Sequence, residues 1–360
     1  LFPYTTLFRS NEGLEKPEFI TNIYNSAFQL DSQNPYLFAK VFEYNLQYPN
    51  QIVFVRENII DAIDICKEHI RLGIESVNAY FTIGRFLLLL NETDKALNYY
   101  LKAISLCTTD QVYSTNEVLQ EEIEAVVRIT KNNSILETSL WIQKMLLLVC
   151  VCKFGDLDSL DKLKQSNVVT YNFTDPVLII AGGTKSLTAN SIETYKFYLI
   201  EAFKRFKGTI LCGGTTMGVP GLVGSAIDKV RKSGNKNIVL IGYVPKQLPK
   251  GSKIDKSYKI VKTESKIFSQ LEPIQMWCDI IISGINPSQV SLLGIDGGVI
   301  SAFEYRLALS LGAFTAVVEN SGGSVSELLN DFDWCSHPKL ITLPNEVETI
   351  WAFINKNTKS

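Results

Sequence analysis

Val177-Leu178-Ile179-Ile180-Ala181-Gly182-Gly183-Thr184-Lys185 is an apolar run that ends in paired glycines, and the pattern returns twice. Thr209-Ile210-Leu211 leads into Gly213-Gly214-Thr215-Thr216, and Val290-Ser291-Leu292-Leu293 leads into Asp296-Gly297-Gly298. Short apolar runs of this kind are strands buried on both faces of a parallel sheet. Glycines at their ends let the backbone approach an anion, and the helix that follows offers free N–H groups. Three such turns predict a doubly wound sheet with a site for a phosphate-bearing ligand at its carboxyl ends.

Working outward, strands are expected at 176–181, 208–212, 237–243, near 258–262, 289–294 and 314–319, with a final strand and helix in 340–355. Helices are expected at Ser191–Phe206, near 219–232 and at 299–311. The run Trp277–Gly284 has strand propensity in Ile280-Ile281-Ile282 but reads as helix. Ser269-Gln270-Leu271-Glu272 is a capping box, Leu271, Ile274 and Cys278 keep helical spacing, and Gly284 suits a C-cap.

The longest glycine segment continues as Met217-Gly218-Val219-Pro220-Gly221-Leu222-Val223-Gly224. Gly213, Gly214 and Gly218 suit close approach to phosphate, while Thr215 and Thr216 add hydroxyl donors. Gly221 and Gly224 suit close helix packing, with or without a ligand. The first turn is not a P-loop, because Thr184 stands where glycine should precede Lys185. Ser321-Gly322-Gly323-Ser324 adds a fourth N–H cluster, with Ser324 and Glu327 as a capping box. Glu319, at a strand end, is placed to meet a sugar hydroxyl or to be a surface carboxylate.

Glycine divides the chain: four of the 22 precede residue 180. The earlier part is apolar at helical spacing, so the fold class is α + α/β. The expected domains are a helical domain over 11–160 and a Rossmann-like nucleotide-binding domain over 171–360. Leu1-Phe2-Pro3-Tyr4-Thr5-Thr6-Leu7-Phe8-Arg9-Ser10 reads as a translated sequencing adapter, to be excluded from fold reasoning.

Net charge of −2 gives no general electrostatic basis for nucleic-acid binding. Met145–Cys152, the longest apolar run, is too short to span a bilayer. Seven scattered cysteines and two histidines, His69 and His337, give no metal-ligand spacing and leave few members for a nucleophilic dyad. A reduced, cytoplasmic setting with no metal and no cofactor beyond a nucleotide-derived ligand is the expectation.

Residues 77–107 resemble one tetratricopeptide repeat. Tyr80, Ile83, Gly84 and Leu87 match its first helix, Ala96, Tyr100 and Ala103 its second, and Asn91-Glu92-Thr93-Asp94 supplies the turn. Small residues let the helices approach and large ones fill the gaps. Residues 35–72 and 117–154 look like degenerate pairs of the same type. Such an array implies either a peptide-binding surface or a platform for the second domain or for homo-oligomerisation.

Asp296-Gly297-Gly298-Val299-Ile300-Ser301-Ala302-Phe303-Glu304 resembles the Pro-Gly-Gly-x-Gly-Thr-x-x-Glu motif of the SLOG superfamily, shared by LOG-type phosphoribohydrolases and by sensor domains. Both glycines and Glu304 are kept, Ser301 stands for Thr, Asp296 for Pro and Ile300 for Gly. Phe303-Glu304-Tyr305-Arg306-Leu307-Ala308-Leu309-Ser310-Leu311-Gly312-Ala313 is more similar to the prokaryotic relatives of the TRPM-channel sensor region. The resemblance, over roughly 176–340, implies a nucleotide-derived ligand such as ADP-ribose or a cyclised relative, and a signalling role.

LOG enzymes cleave an N-glycosidic bond with that Glu and an Arg from the preceding helix. Here the helix reads Glu272-Pro273-Ile274-Gln275-Met276-Trp277, without Arg. The favoured reading is therefore a ligand sensor, with Glu304 holding a ribose hydroxyl and Arg306, turned away from it, in a structural ion pair. Two rivals stay open. One is a phosphoribohydrolase with Glu304 as acid/base and Lys185 as the cation. The other is a peptide-binding scaffold whose crevice is plugged by Met217 or Ile300.

Overall fold

The computed structural model describes residues 17–45, 56–74, 76–107, 115–130, 136–166 and 172–356. The adapter-like Leu1–Ser10 lies outside them. The chain divides into two compact units, Leu1–Leu146 and Leu147–Ser360.

The first unit contains α1 (Pro17–Leu30), α2 (Pro35–Asn45), α3 (Arg56–Arg71), α4 (Ser76–Leu89), α5 (Thr93–Leu106) and α6 (Thr115–Thr130). Helix α7 (Leu136–Phe154) spans the boundary of the two units in the sequence. The expected turn between α4 and α5 is made at Asn91, with φ of 62°, a left-handed value that asparagine tolerates. Gly84 is required at this pair: a Cβ there would stand 2.8 Å from two Tyr100 ring carbons. Ala96, Tyr100 and Ala103 are fully buried.

Ionic groups lie inside this helical unit. Glu43 on α2 and Glu122 on α6 flank Arg85 on α4, and all three are buried. Arg85 donates to Glu43 and to Thr82 Oγ1 at 3.2 Å. The Tyr100 hydroxyl donates to Glu122 Oε1 at 2.8 Å. Burial raises the Glu43 carboxyl, but the Arg85, Lys40 and Arg128 charges outweigh it and hold Glu43 below its ordinary value. At Glu122 burial wins against Arg85, and the carboxyl is raised.

The second unit continues with α8 (Leu157–Ser166), β1 (Val177–Gly182), α9 (Ala189–Phe203), β2 (Gly208–Cys212), α10 (Gly218–Lys232), β3 (Ile238–Val244), β4 (Lys259–Lys262) and α11 (Leu271–Ile282). Then come β5 (Val290–Ile295), α12 (Val299–Leu311), β6 (Phe314–Val318), α13 (Gly323–Asn330), β7 (Leu340–Leu343) and α14 (Val347–Asn355). The seven strands form one parallel sheet in the order β4-β3-β2-β1-β5-β6-β7. It is a Rossmann-like α/β fold.

Alternation along the strands buries both faces. Leu178, Ile180, Ile210, Cys212, Leu240, Leu293 and Ile295 pack with Leu199, Phe203, Val223, Ile227 and Phe353 of α9, α10 and α14. Intervening residues such as Ile179, Leu211, Ile241 and Leu292 are equally buried and face the other way, as a period of two requires; α11 and α12 pack on the sheet too, against β3 and against β1, β5 and β6.

Trp277–Gly284 is helix up to Ile282, as its spacing indicates, and Gly284 at φ 82° ends it. Burial on every side explains the strand-like composition: ten of the twelve residues of α11 are buried. Among the described residues no helix is long and apolar enough to cross a membrane.

Candidate functional site

Strand order reverses between β1 and β5, because β2 to β4 extend to one side and β6 and β7 to the other. Ligands of such sheets sit outside the carboxyl ends at that reversal. Three of the four glycine turns meet there. Gly183 N donates to Ile295 O at 3.1 Å, and a Cβ on Gly183 would lie 3.3 Å from Gly297 Cα. At Gly182, φ 145°, a Cβ would overlap the Ile295 carbonyl oxygen. The two strand ends touch backbone to backbone, and only glycine permits it.

The β6 turn closes the third side. Ser321 Oγ donates to Val318 O at 2.7 Å and accepts from Asp296 N at 2.9 Å. Ser324 donates through N to Gly297 O at 3.0 Å and through Oγ to Gly298 O at 2.6 Å. The expected Ser324–Glu327 capping box is therefore not formed. Gly322, φ 92°, is the N-cap of α13, and Ser324 instead ties the β6 turn to the β5 turn.

Asp296 is fully buried with φ of 52°. Its Oδ2 accepts from Ser186 N at 3.1 Å, while its Oδ1 has no hydrogen-bond partner. Ser301 is buried beneath Gly297. Gly298 is exposed, has nothing within 4 Å of a Cβ, and caps α12 without a side-chain hydrogen bond. The first N–H groups of α12 are thus left for another acceptor.

Glu304 lies one turn and a half further along α12. It is half-buried and makes no hydrogen bond or ion pair among the described residues. Burial alone pushes its carboxyl up to about 8. Its charge adds to burial in raising the Cys212 thiol at the end of β2. Arg306 turns away as expected and pairs with Asp331 Oδ2 at 2.8 Å.

The β2 turn is partly engaged elsewhere. Thr216 N donates to Lys253 O at 2.9 Å, Asp255 N donates to Gly214 O at 3.1 Å, and Thr215 is buried against Ile254. Gly214, φ 67°, packs on Gly242. Gly213 packs on Pro220, and Gly218, φ 66°, opens α10, whose N-cap Met217 makes no side-chain bond. Gly221 and Gly224 are packing glycines: a Cβ would overlap Thr216 O at the first and the Asp255 carboxylate at the second.

Thr184 is half-buried and Lys185 exposed, and Lys185 makes no ion pair among the described residues. Glu319 is half-buried; its N–H is held by Leu343 O at 2.9 Å. Met217 is 54% exposed. A cleft of about 660 Å³ lies between α9 and α10 and reaches the β2 turn at Thr216, beside Asp255.

Tyr305 was not singled out in the sequence. Fully buried, it donates through its hydroxyl to Asp296 O at 2.9 Å, and its ring packs 2.8 Å from where a Gly294 Cβ would be. The signal was Gly294, an isolated glycine within a strand, which marks close approach of a neighbour. Ser186 carried no signal, since its contribution is a backbone N–H.

No family model matches this chain, and no curated protein matches it. Among solved structures, the X-ray structure of TM1055, a structural-genomics target, is 17% identical; the match covers 50% of this chain and 98% of that one, with a TM-score of 0.34. The Rossmann-like assignment rests on the sheet itself.

Proposed function

We propose that the second unit is a SLOG-type sensor that binds a nucleotide-derived ligand, ADP-ribose-like or a cyclic relative, in the crevice between the β1 and β5 turns. The observation that carries this reading is the open N-terminus of α12: Gly298 leaves its N–H groups uncapped beside turns that only glycine can form. A phosphate suits those donors and the positive end of the helix. Glu304, neutral over much of the physiological range, suits a ribose hydroxyl better than a charged partner. The helical unit, read as tetratricopeptide-like, would carry a protein or peptide partner or a homo-oligomer contact. The setting would be cytoplasmic, with no further cofactor.

The phosphoribohydrolase reading has one observation in its favour, the raised Glu304 carboxyl, which suits a general acid. Against it, α11 contributes no cation, and Glu272 there is held by the Thr263 and Ser265 hydroxyls and by Ser269 N at 2.7 Å. Incubation with ADP-ribose, NAD, AMP and cyclic ADP-ribose isomers decides between them. A thermal shift without turnover supports the sensor. Release of free base or ribose phosphate, lost in Glu304→Gln, establishes the enzyme instead, and no response overturns both.

A further inference from the structure

We infer that Asp296 fills, with its own carboxylate, the anion position at the N-terminus of α13, and so confines the ligand's anionic group to α12. The N-termini of α12 and α13 both stand at the β5 turn, and they are built differently. A Cβ on Gly298, which opens α12, would meet nothing within 4 Å. At α13, consecutive left-handed glycines, Gly322 at φ 92° and Gly323 at φ 48°, lie directly against Asp296 Oδ1, which a Cβ on Gly323 would overlap.

That oxygen is buried and has no hydrogen-bond partner, a costly state for a carboxylate unless a field compensates it. The positive end of α13 supplies the field, and Ser186 N supplies one hydrogen bond to Oδ2. A phosphate placed at α13 would meet this fixed negative charge in a poorly solvated setting. Asp296 is thus a specificity-determining residue. The part of the ligand that approaches it is neutral and donates hydrogen bonds, as sugar hydroxyls do. The assignment rests on the reading that this crevice takes a phosphate-bearing ligand.

The test is calorimetric titration of inorganic phosphate and of ADP-ribose into the wild-type chain, Asp296→Asn and Asp296→Gly. Both replacements tolerate the left-handed backbone, and thermal melts report whether each folds. We expect one phosphate per wild-type chain and at least tenfold tighter phosphate binding, or a second equivalent, in each folded variant. Wild-type binding with unchanged variants overturns the role of Asp296 and leaves the sensor standing. Phosphate binding in the variants alone keeps the role of Asp296 and removes the ligand proposal. Two equivalents bound by the wild type overturn the inference without any variant, and binding by none of the three overturns both.

Discussion

Ser186 and Asp296 stand 110 positions apart in the chain, yet the Ser186 amide donates to Asp296 Oδ2 at 3.1 Å. That bond joins the turn after β1 to the turn after β5 across the line where strand order reverses. Tyr305 supports it from below by holding the Asp296 carbonyl. Backbone frames the crevice, with the Asp296 carboxylate and the Ser321 and Ser324 hydroxyls built into it.

Removing the Tyr305 hydroxyl tests the frame. Tyr305→Phe keeps the packing against Gly294 and loses a buried hydrogen bond, for a cost of about 1 kcal/mol. Hydrogen exchange at Asp296–Gly298 should accelerate while exchange in β7 stays unchanged. Equal protection in both proteins would show that Tyr305 does not hold the turn.

Glu304 gives the stability a pH dependence. Its carboxyl has an ordinary value of 4.5 and a folded value of about 8, so the unfolded chain releases this proton first. The stability from keeping it neutral is complete below about 4.5 and is lost as pH rises through about 8. Glu304→Gln should therefore melt higher than wild type at pH 8.5 and nearly together with it at pH 4.5. A constant difference at both pH values would contradict the burial of this group.

In the helical unit, packing and propensity make opposite demands at Gly84. Alanine is favoured over glycine in a helix interior by about 1 kcal/mol. The added Cβ would press on the Tyr100 ring, and overpacking costs about 1–3 kcal/mol. Gly84→Ala should be destabilising by urea denaturation, and a stabilised variant would show that α4 and α5 are not in this contact.

Arg85 is the only guanidinium shared by Glu43 and Glu122 in the described ion pairs. Arg85→Met leaves two buried carboxylates without it, which should cost about 3–5 kcal/mol. A change below 1 kcal/mol in chemical denaturation would argue that the network is solvated.

The sheet was legible because strands buried on both faces are continuous apolar runs that end in glycine, and α12 was placed by its flanking glycines. The position of the turns at the carboxyl ends of the strands followed from the sequence, but not the pairing of β1 with β5, which is a register between segments over 100 residues apart. Glu304 was visible through the resemblance of residues 296–304 to the LOG motif. Ser186, Tyr305 and the second role of Ser324 were not, because they act through backbone groups that any residue carries or through tertiary contacts. The Ser324–Glu327 pattern misled for the same reason: the serine hydroxyl donates to Gly298 O, 26 residues away, rather than accepting from a helix N–H.

The most direct measurement is titration of ADP-ribose into the wild-type chain and Gly298→Asp. A side chain at 298 meets nothing within 4 Å, and an aspartate at this N-cap should stabilise α12 by about 0.3–1 kcal/mol. It would also place a negative charge where the phosphate is proposed to sit. The wild type is expected to bind, and a variant that melts no lower is expected to bind at least tenfold more weakly. Equal affinity in the two proteins, or no binding by the wild type, would contradict the proposal.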